Sequence, residues 1–488
     1  MKKIVFIIAL VFTFSSCELD LKPESSLRHS GYWTTEEAVN AAHIGIYPHL
    51  RGYDNTFWGM GELRSDIWGG TTIESPFSAE LIKNDVSVTR VHYGNWAEFY
   101  SLIHKINDFI KNAPTVPASN QEQRNHMMGQ MYGIRAYVYY TMLKAWGEVP
   151  IATEPLTKVA SLESLKKKRS PKEDVLALVK SDIEKSLEFF NTDNSKWLNK
   201  NIYWSKAATL TLKGDVYLWS GKVLGGGSAD FEVAKTALES VTGYSLVNYE
   251  DLWGQAKEGN NEFIFALDYQ EDQANNFYSS MTARQVDIKG KFDDEGNLLD
   301  NFTLNGGSRY GASAKVFDFL KADLQDQRSK TFMGIYSDKT AKKLIGTVLN
   351  KFLGVVETGL RRSWNNVPLY RYADVVLLLA EAKNHLGEDP SPEINKIRER
   401  AYGNTYNVAT HGYTNANKSA NAKVILDERL KEFVGEGKRW WDLVRAGDNH
   451  LFDEVPTMKA SESYKIYYSI SEGMIANDPE LKQTEGYK

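Results

Sequence analysis

Apolar residues recur at intervals of three and four positions through the first half of the chain. Phe99, Ile103 and Ile106, for example, fall on one face of a helix. Helix-starting signals precede several of these stretches, as where Ser170 and Pro171 form a cap followed by a proline. The pattern predicts helices over 37–47, 96–110, 120–145, 170–187, 205–219 and 231–241.

Short segments join these predicted helices, so successive helices are expected to pack in pairs. Small residues would allow the helices to approach closely, among them Ala207, Ala208, Gly214 and Ala234. This arrangement is typical of tetratricopeptide-type repeats, although no strict 34-residue repeat occurs.

The middle of the chain, residues 245–369, has a different pattern. Short β-like runs such as 263–267 alternate with stretches rich in Gly, Asn and Asp, where binding residues usually lie. Helical spacing returns over 370–386, 391–402, 425–434 and 438–444. The sequence therefore predicts a mostly α fold in one domain, 31–488, with a helical scaffold (about 31–244 and 370–450) and a loop-rich, partly β central module (about 245–369).

The N-terminus contains two lysines, an apolar run at 4–14, two serines and then Cys17, the only cysteine of 488 residues. Eleven helical residues rise about 16 Å, roughly half of the ~30 Å hydrocarbon core, so the run is too short to span a membrane. The segment resembles a bacterial lipoprotein signal, although Phe14 stands where the usual motif has Leu. The resemblance implies a signal peptide at 1–16, lipidation of Cys17 and a tether at 17–30; a plain signal peptide with an accidental cysteine is the alternative.

Composition narrows the function classes further. The formal net charge is -5 and the basic residues are scattered, which argues against a nucleic-acid partner. With one cysteine the chain can form no internal disulfide and no Cys-based metal site. Aromatic residues are abundant, with 12 Trp, 26 Tyr and 21 Phe, and their flat apolar faces suit the C–H faces of sugar rings.

No catalytic motif with specific spacing occurs, and no cofactor is predicted. The nine histidines are dispersed without an HExxH pattern. The acidic loop at 293–300 lacks the order of an EF-hand and is more typical of a solvated loop than of a calcium site. Carboxylates such as Asp215 and Glu262 could in principle serve a glycosidase, but a chain with 63 acidic residues contains many such pairs by chance.

Four segments resemble the RagB/SusD family of outer-membrane nutrient-binding lipoproteins, and they occur in that family's order along the chain. The strongest is 428–445, ERLKEFVGEGKRWWDLVR, whose charges are expected to form ion pairs and whose tryptophans are expected to be buried. The other matches are 369–382 with 394–400, 134–151, and 31–38 with 62–67.

The resemblance implies a non-catalytic glycan-binding lipoprotein at the cell surface, anchored in the outer membrane only through its lipid. It would deliver oligosaccharide or polysaccharide to a SusC-like TonB-dependent transporter, with the helical repeats as the docking face. Two alternatives are a secreted glycan hydrolase or lyase and a peptide-binding RagB-like relative.

Candidate ligand residues are aromatic or arginine side chains in segments rich in Gly, Thr and Asn. Arginine holds carboxylates through two parallel N–H bonds, so the grouping of Arg361, Arg362 and Trp364 favours an acidic glycan such as a uronate polymer. A neutral glycan, with both arginines in ion pairs, is the alternative. The full set is Trp58, Trp68, Tyr278, Arg309, Tyr310, Arg361, Arg362 and Trp364.

Overall fold

A computed structural model describes residues 29–488 apart from 71, 76, 77, 158–160, 162 and 448. Cys17, the signal peptide predicted at 1–16 and most of the predicted tether lie outside the described residues. The longer described helices are α1 (Glu36–Arg51), α2 (Asp54–Glu62), α3 (Ala97–Asn112), α4 (Gln121–Trp146), α5 (Lys172–Phe190), α6 (Lys206–Val223), α7 (Gly227–Glu239), α8 (Ala314–Lys321), α9 (Tyr372–Leu386), α10 (Ser391–Tyr402), α11 (Lys418–Phe433) and α12 (Arg439–Ala446).

The scaffold consists of consecutive helices packed against one another, as the spacing predicts. Helix α4 packs against α3 and α5, and α6 packs against α7. Gly214 on α6 lies so close to Leu238 on α7 that a Cβ atom would approach the leucine to 2.4 Å, which confirms the expected close contact. The mostly α fold is therefore confirmed, and none of the described helices could cross a membrane.

Three small antiparallel sheets lie in and beside the central module. Strand β1 (Phe263–Leu267) is where the sequence predicts it. Its partner β6 (Val367–Arg371) crosses the C-terminal boundary of the module at 369 and leads directly into α9, so this pairing joins the module to the scaffold. In the second sheet, β2 (Phe332–Tyr336) pairs with β3 (Leu344–Leu349). In the third, β4 (Val355–Glu357) pairs with β5 (Leu360–Arg362).

The structure differs from the sequence-based prediction at several places: helix α8 lies within the central module, where the sequence predicts loops and short strands, and two further differences concern α2 and α11. The Gly- and Thr-rich segment around Trp58 predicts irregular structure, but Trp58 lies in α2. Helix α11 begins seven residues before the predicted 425, because the side chain of Asn417 accepts a hydrogen bond from the Ala420 N–H (3.0 Å) and caps it there.

Candidate functional site

The segment 428–445, which we call the C-terminal signature, holds helix α2 in place through an unusually close contact. The carboxylate of Glu62 accepts hydrogen bonds from the backbone N–H groups of Gly435 (2.6 Å) and Gly437 (2.5 Å). Gly61 is required there, since a Cβ atom would lie 1.8 Å from the carbonyl oxygen of Gly437. Burial raises the pKa of Glu62 to about 8. The signature turn therefore positions the helix that carries Trp58.

Buried ion pairs fix the same region, as the alternating charges of the signature predict. Arg371 contacts Glu262 (2.6 Å), Glu432 (2.7 Å) and Glu436 (2.8 Å), and none of these side chains reaches solvent appreciably. Burial alone would raise the pKa of Glu436, but Arg371 and the Lys351 ammonium together lower it. The signature thus identifies the fold and contributes an internal charge network.

Four of the predicted ligand residues come together in one aromatic cluster. The ring of Trp58 lies 5.6 Å from that of Trp68 and 5.3 Å from that of Tyr310. The ring of Trp58 also lies 5.1 Å from that of Phe277, and the ring of Phe277 lies 4.4 Å from that of Tyr278. We call these five rings the junction cluster, because they join α2 of the scaffold to the central module.

The rings of the junction cluster are mostly buried, with Trp58 and Trp68 each 3 % exposed. Their indole N–H groups are also buried and meet no acceptor among the described residues. Three other tryptophans, Trp197, Trp253 and Trp440, have equally unpartnered buried indole N–H groups within the described ranges, so this feature does not by itself distinguish the cluster. Half-buried Phe277 gives the cluster its surface edge.

Arg309 lies at this edge next to Tyr310. It is half-buried, and its guanidinium donates a hydrogen bond to the carbonyl oxygen of Ser75 (3.2 Å). Its backbone N–H donates to the carbonyl oxygen of Ser280 (3.0 Å). The edge of the junction cluster therefore combines a ring with a cation, and backbone carbonyl groups from two segments distant in sequence hold that cation in place.

The other three candidates lie on the neighbouring 360–364 segment. Arg361 donates to the carbonyl oxygens of Thr303 (2.7 Å) and Leu353 (3.2 Å), so much of its fork is used within the protein. Arg362 is half-buried and its Nε has no partner among the described residues, while Trp364 is buried. The ligand role of all eight candidates stays a prediction.

The two carboxylates considered for a glycosidase, Asp215 and Glu262, are engaged in hydrogen bonds and ion pairs within the protein. Asp215 accepts hydrogen bonds from Arg445 (3.0 Å) and Tyr370 (3.2 Å), whereas Glu262 pairs with Arg371. Both are buried and belong to different ion-pair networks, so they cannot flank a glycosidic bond at the surface. Within the described ranges no group of three or more His, Cys, Asp or Glu side chains could hold a metal.

Sequence reasoning missed Phe277, although it directly precedes a predicted candidate. Its signal is weak, because an aromatic pair in a polar loop is usually structural. Only the contact with Trp58, more than two hundred positions away, shows that it belongs to the same cluster.

Comparison with known proteins identifies the class. A family model described as the SusD family matches residues 336–487, and one described as starch-binding, associating with the outer membrane, matches 19–218. The chain belongs to the SusD family, which confirms the resemblance found in the sequence.

Individual relatives cover nearly the whole chain. The solved structure of NanU from B. fragilis is 32 % identical, covers 96 % of this chain and 100 % of that chain, and superimposes with a TM-score of 0.87. SusD-like protein P38 of Formosa agariphila is 27 % identical over 512 residues, or 97 % of this chain and 96 % of that protein. The starch-binding protein SusD of Bacteroides thetaiotaomicron is 32 % identical over 130 residues, or 25 % of this chain and 22 % of that protein.

Proposed function

We propose that the protein captures a glycan at the outer membrane and delivers it to a SusC-like TonB-dependent transporter. The observation that carries this proposal is the junction cluster, where five packed aromatic rings reach the surface at half-buried Phe277, and where half-buried Arg309 directly precedes one of the rings, Tyr310. Sugar recognition needs an apolar face for the C–H side of a ring and donors for its hydroxyls. Membership of a family that includes a starch-binding protein supports the choice of ligand class.

Removal of the Phe277 ring tests the position of the site. We expect Phe277→Ala to weaken polysaccharide binding about tenfold, roughly 1.4 kcal/mol, because the stacking surface at the cluster edge is lost. Retardation in native gels containing starch, laminarin or polygalacturonate measures the effect. Phe189→Ala is the matched control, since Phe189 is a half-buried ring that stacks on Tyr132 in the scaffold (5.6 Å). Equal losses in both variants would show that the junction cluster is not the site.

The charge of the glycan is tested with the same probes. If polygalacturonate is the ligand, its binding weakens as salt is added, since exposed charge pairs are screened over about 8–10 Å. Arg309→Ala and Arg362→Ala then reduce binding mainly at low salt. Binding of a neutral polysaccharide that survives both substitutions and added salt rejects the acidic-ligand hypothesis.

Anchoring depends on Cys17 in this proposal. Cys17→Ala is expected to move the protein from the membrane fraction to the soluble fraction without unfolding it, because the lipid has no other attachment site. Fractionation and circular dichroism measure the two properties. Retention of the variant in the membrane fraction contradicts the lipid anchor, and protease treatment of intact cells reports which face the domain occupies.

The proposed function is capture without catalysis, so the hydrolase or lyase alternative has a direct test. Incubation of the purified protein with each bound polysaccharide should produce no new reducing ends. Their appearance would favour the enzyme.

A further inference from the structure

A groove outside the junction cluster lies between the central module and the turn that follows helix α10. Four short 3-10 turns line it: Tyr249–Asp251, Gln327–Thr331, Asn350–Phe352 and Gly403–Thr405. Its volume is about 600 Å³, within the range of ligand sites. We call it the turn groove.

Aromatic side chains line part of the turn groove. Trp253 is half-buried, and its ring packs against Phe352 (5.1 Å) and Phe263 (6.1 Å). Tyr249 and Tyr402 also line the groove, and each is mostly buried. Neighbouring rings hold Trp253 firmly, so it offers a fixed apolar surface.

Amide side chains provide the polar lining. Those of Gln325, Gln327 and Asn404 make no hydrogen bond to any other residue in the part of the chain that the structure describes. A fourth amide, Asn350, donates to the carbonyl oxygen of Lys330 (2.9 Å), which leaves its own side-chain oxygen as an acceptor. The amides of Gln325, Gln327 and Asn404 present both donors and an acceptor, the combination that matches neighbouring hydroxyl groups.

The groove carries almost no net charge. The ammonium of Lys351 is buried and paired with Glu436 (2.9 Å). Two exposed charges of opposite sign line the groove, Glu250 and Lys330. An ionic ligand would find no concentrated field of one sign, whereas a neutral hydroxylated ligand needs none.

We propose that the turn groove is a second saccharide-binding site, selective for neutral sugar units. This proposal rests on the proposed function, because it takes the protein to bind glycans. The residues of the turn groove are distinct from those of the junction cluster. A row of rings connects the two places through the core, because Phe352 stacks on Tyr278 (3.7 Å) and contacts Trp253. One long glycan bound at both places, or two separate glycans, would therefore contact connected parts of the same fold.

Crystals of the mature protein soaked separately in maltotriose and laminaritriose test the proposal. We expect electron density for a sugar ring in the turn groove with at least one of the two probes. The triple variant Gln325→Ala, Gln327→Ala and Asn404→Ala should lose that density and retain any ring bound at the junction cluster. The control triple variant replaces three exposed amides elsewhere: Asn40→Ala, Asn194→Ala and Asn301→Ala.

Calorimetry with the same trisaccharides gives an independent readout in solution. The turn-groove variant should lose one class of binding site, while the control keeps the wild-type stoichiometry. A ring at the junction cluster with an empty turn groove overturns the second site and leaves the proposed function intact. Density in the turn groove alone supports this inference and counts against the junction cluster as the capture site. An empty groove with both probes, or density that persists in the triple variant, refutes the proposal.

Discussion

Trp441→Ala is expected to lower the free energy of unfolding by about 3–5 kcal/mol, since a large buried ring leaves a cavity that the neighbours only partly fill. Trp441 is 6 % exposed, and its ring lies 6.1 Å from that of Trp219. The ammonium of Lys144 lies 5.1 Å from the same ring, so a cation–π contact is lost as well. Urea denaturation followed by near-ultraviolet circular dichroism measures the change.

Leu156→Ala is the control for this substitution. Leu156 is 57 % exposed, so its truncation should change stability by less than about 0.5 kcal/mol. Glycan binding by the folded Trp441→Ala protein should be nearly normal, because the Trp441 ring packs against Trp219 and Lys144 of the scaffold. A stable variant that no longer binds would place the capture site next to Trp441 instead.

The helices were predictable because each one depends on residues close together in sequence. The predicted limits of α4 agree with the structure within one residue at both ends, and α9 ends as predicted at Leu386, where Gly387 has a φ of +79°. Helix α2 was missed because its glycines lower helix propensity. Contacts with the distant signature turn outweigh that cost, and they cannot be read from local spacing.

The candidate site was predictable in its members but not in its geometry. Turn-rich segments marked Trp58, Trp68 and Tyr310, yet only the fold brings their rings within 6.3 Å of one another. Their burial was equally hidden, because an aromatic residue in a polar segment can fold back onto the core. Ion pairs between distant segments were also hidden in the sequence. The guanidinium of Arg439 donates a hydrogen bond to the carboxylate of Asp66 (2.8 Å), although the two residues are 373 positions apart.

Arg371→Met is expected to cost about 3–5 kcal/mol near neutral pH, because it removes the cation shared by three buried carboxylates and leaves them only their remaining contacts with Lys351, Arg328 and Arg400. The guanidinium touches all three carboxylates, and methionine fills part of the space without supplying charge. Exposed Arg90, which pairs with Asp85 at 2.8 Å, provides the matched control. Arg90→Met should cost less than about 1 kcal/mol, since water screens an exposed pair.

The pH dependence separates lost charge from lost packing in Arg371→Met. Despite burial, the neighbouring cations lower the pKa of Glu436 below its ordinary 4.5, so the wild-type contribution is complete above about 4.5 and is lost as pH falls through the lower folded value. Without Arg371 that pKa rises and the carboxylate protonates more readily. The stability difference from the wild type should therefore shrink between about pH 7 and about pH 4. A difference that stays constant over this interval would assign the loss to packing and contradict the charge network as its cause.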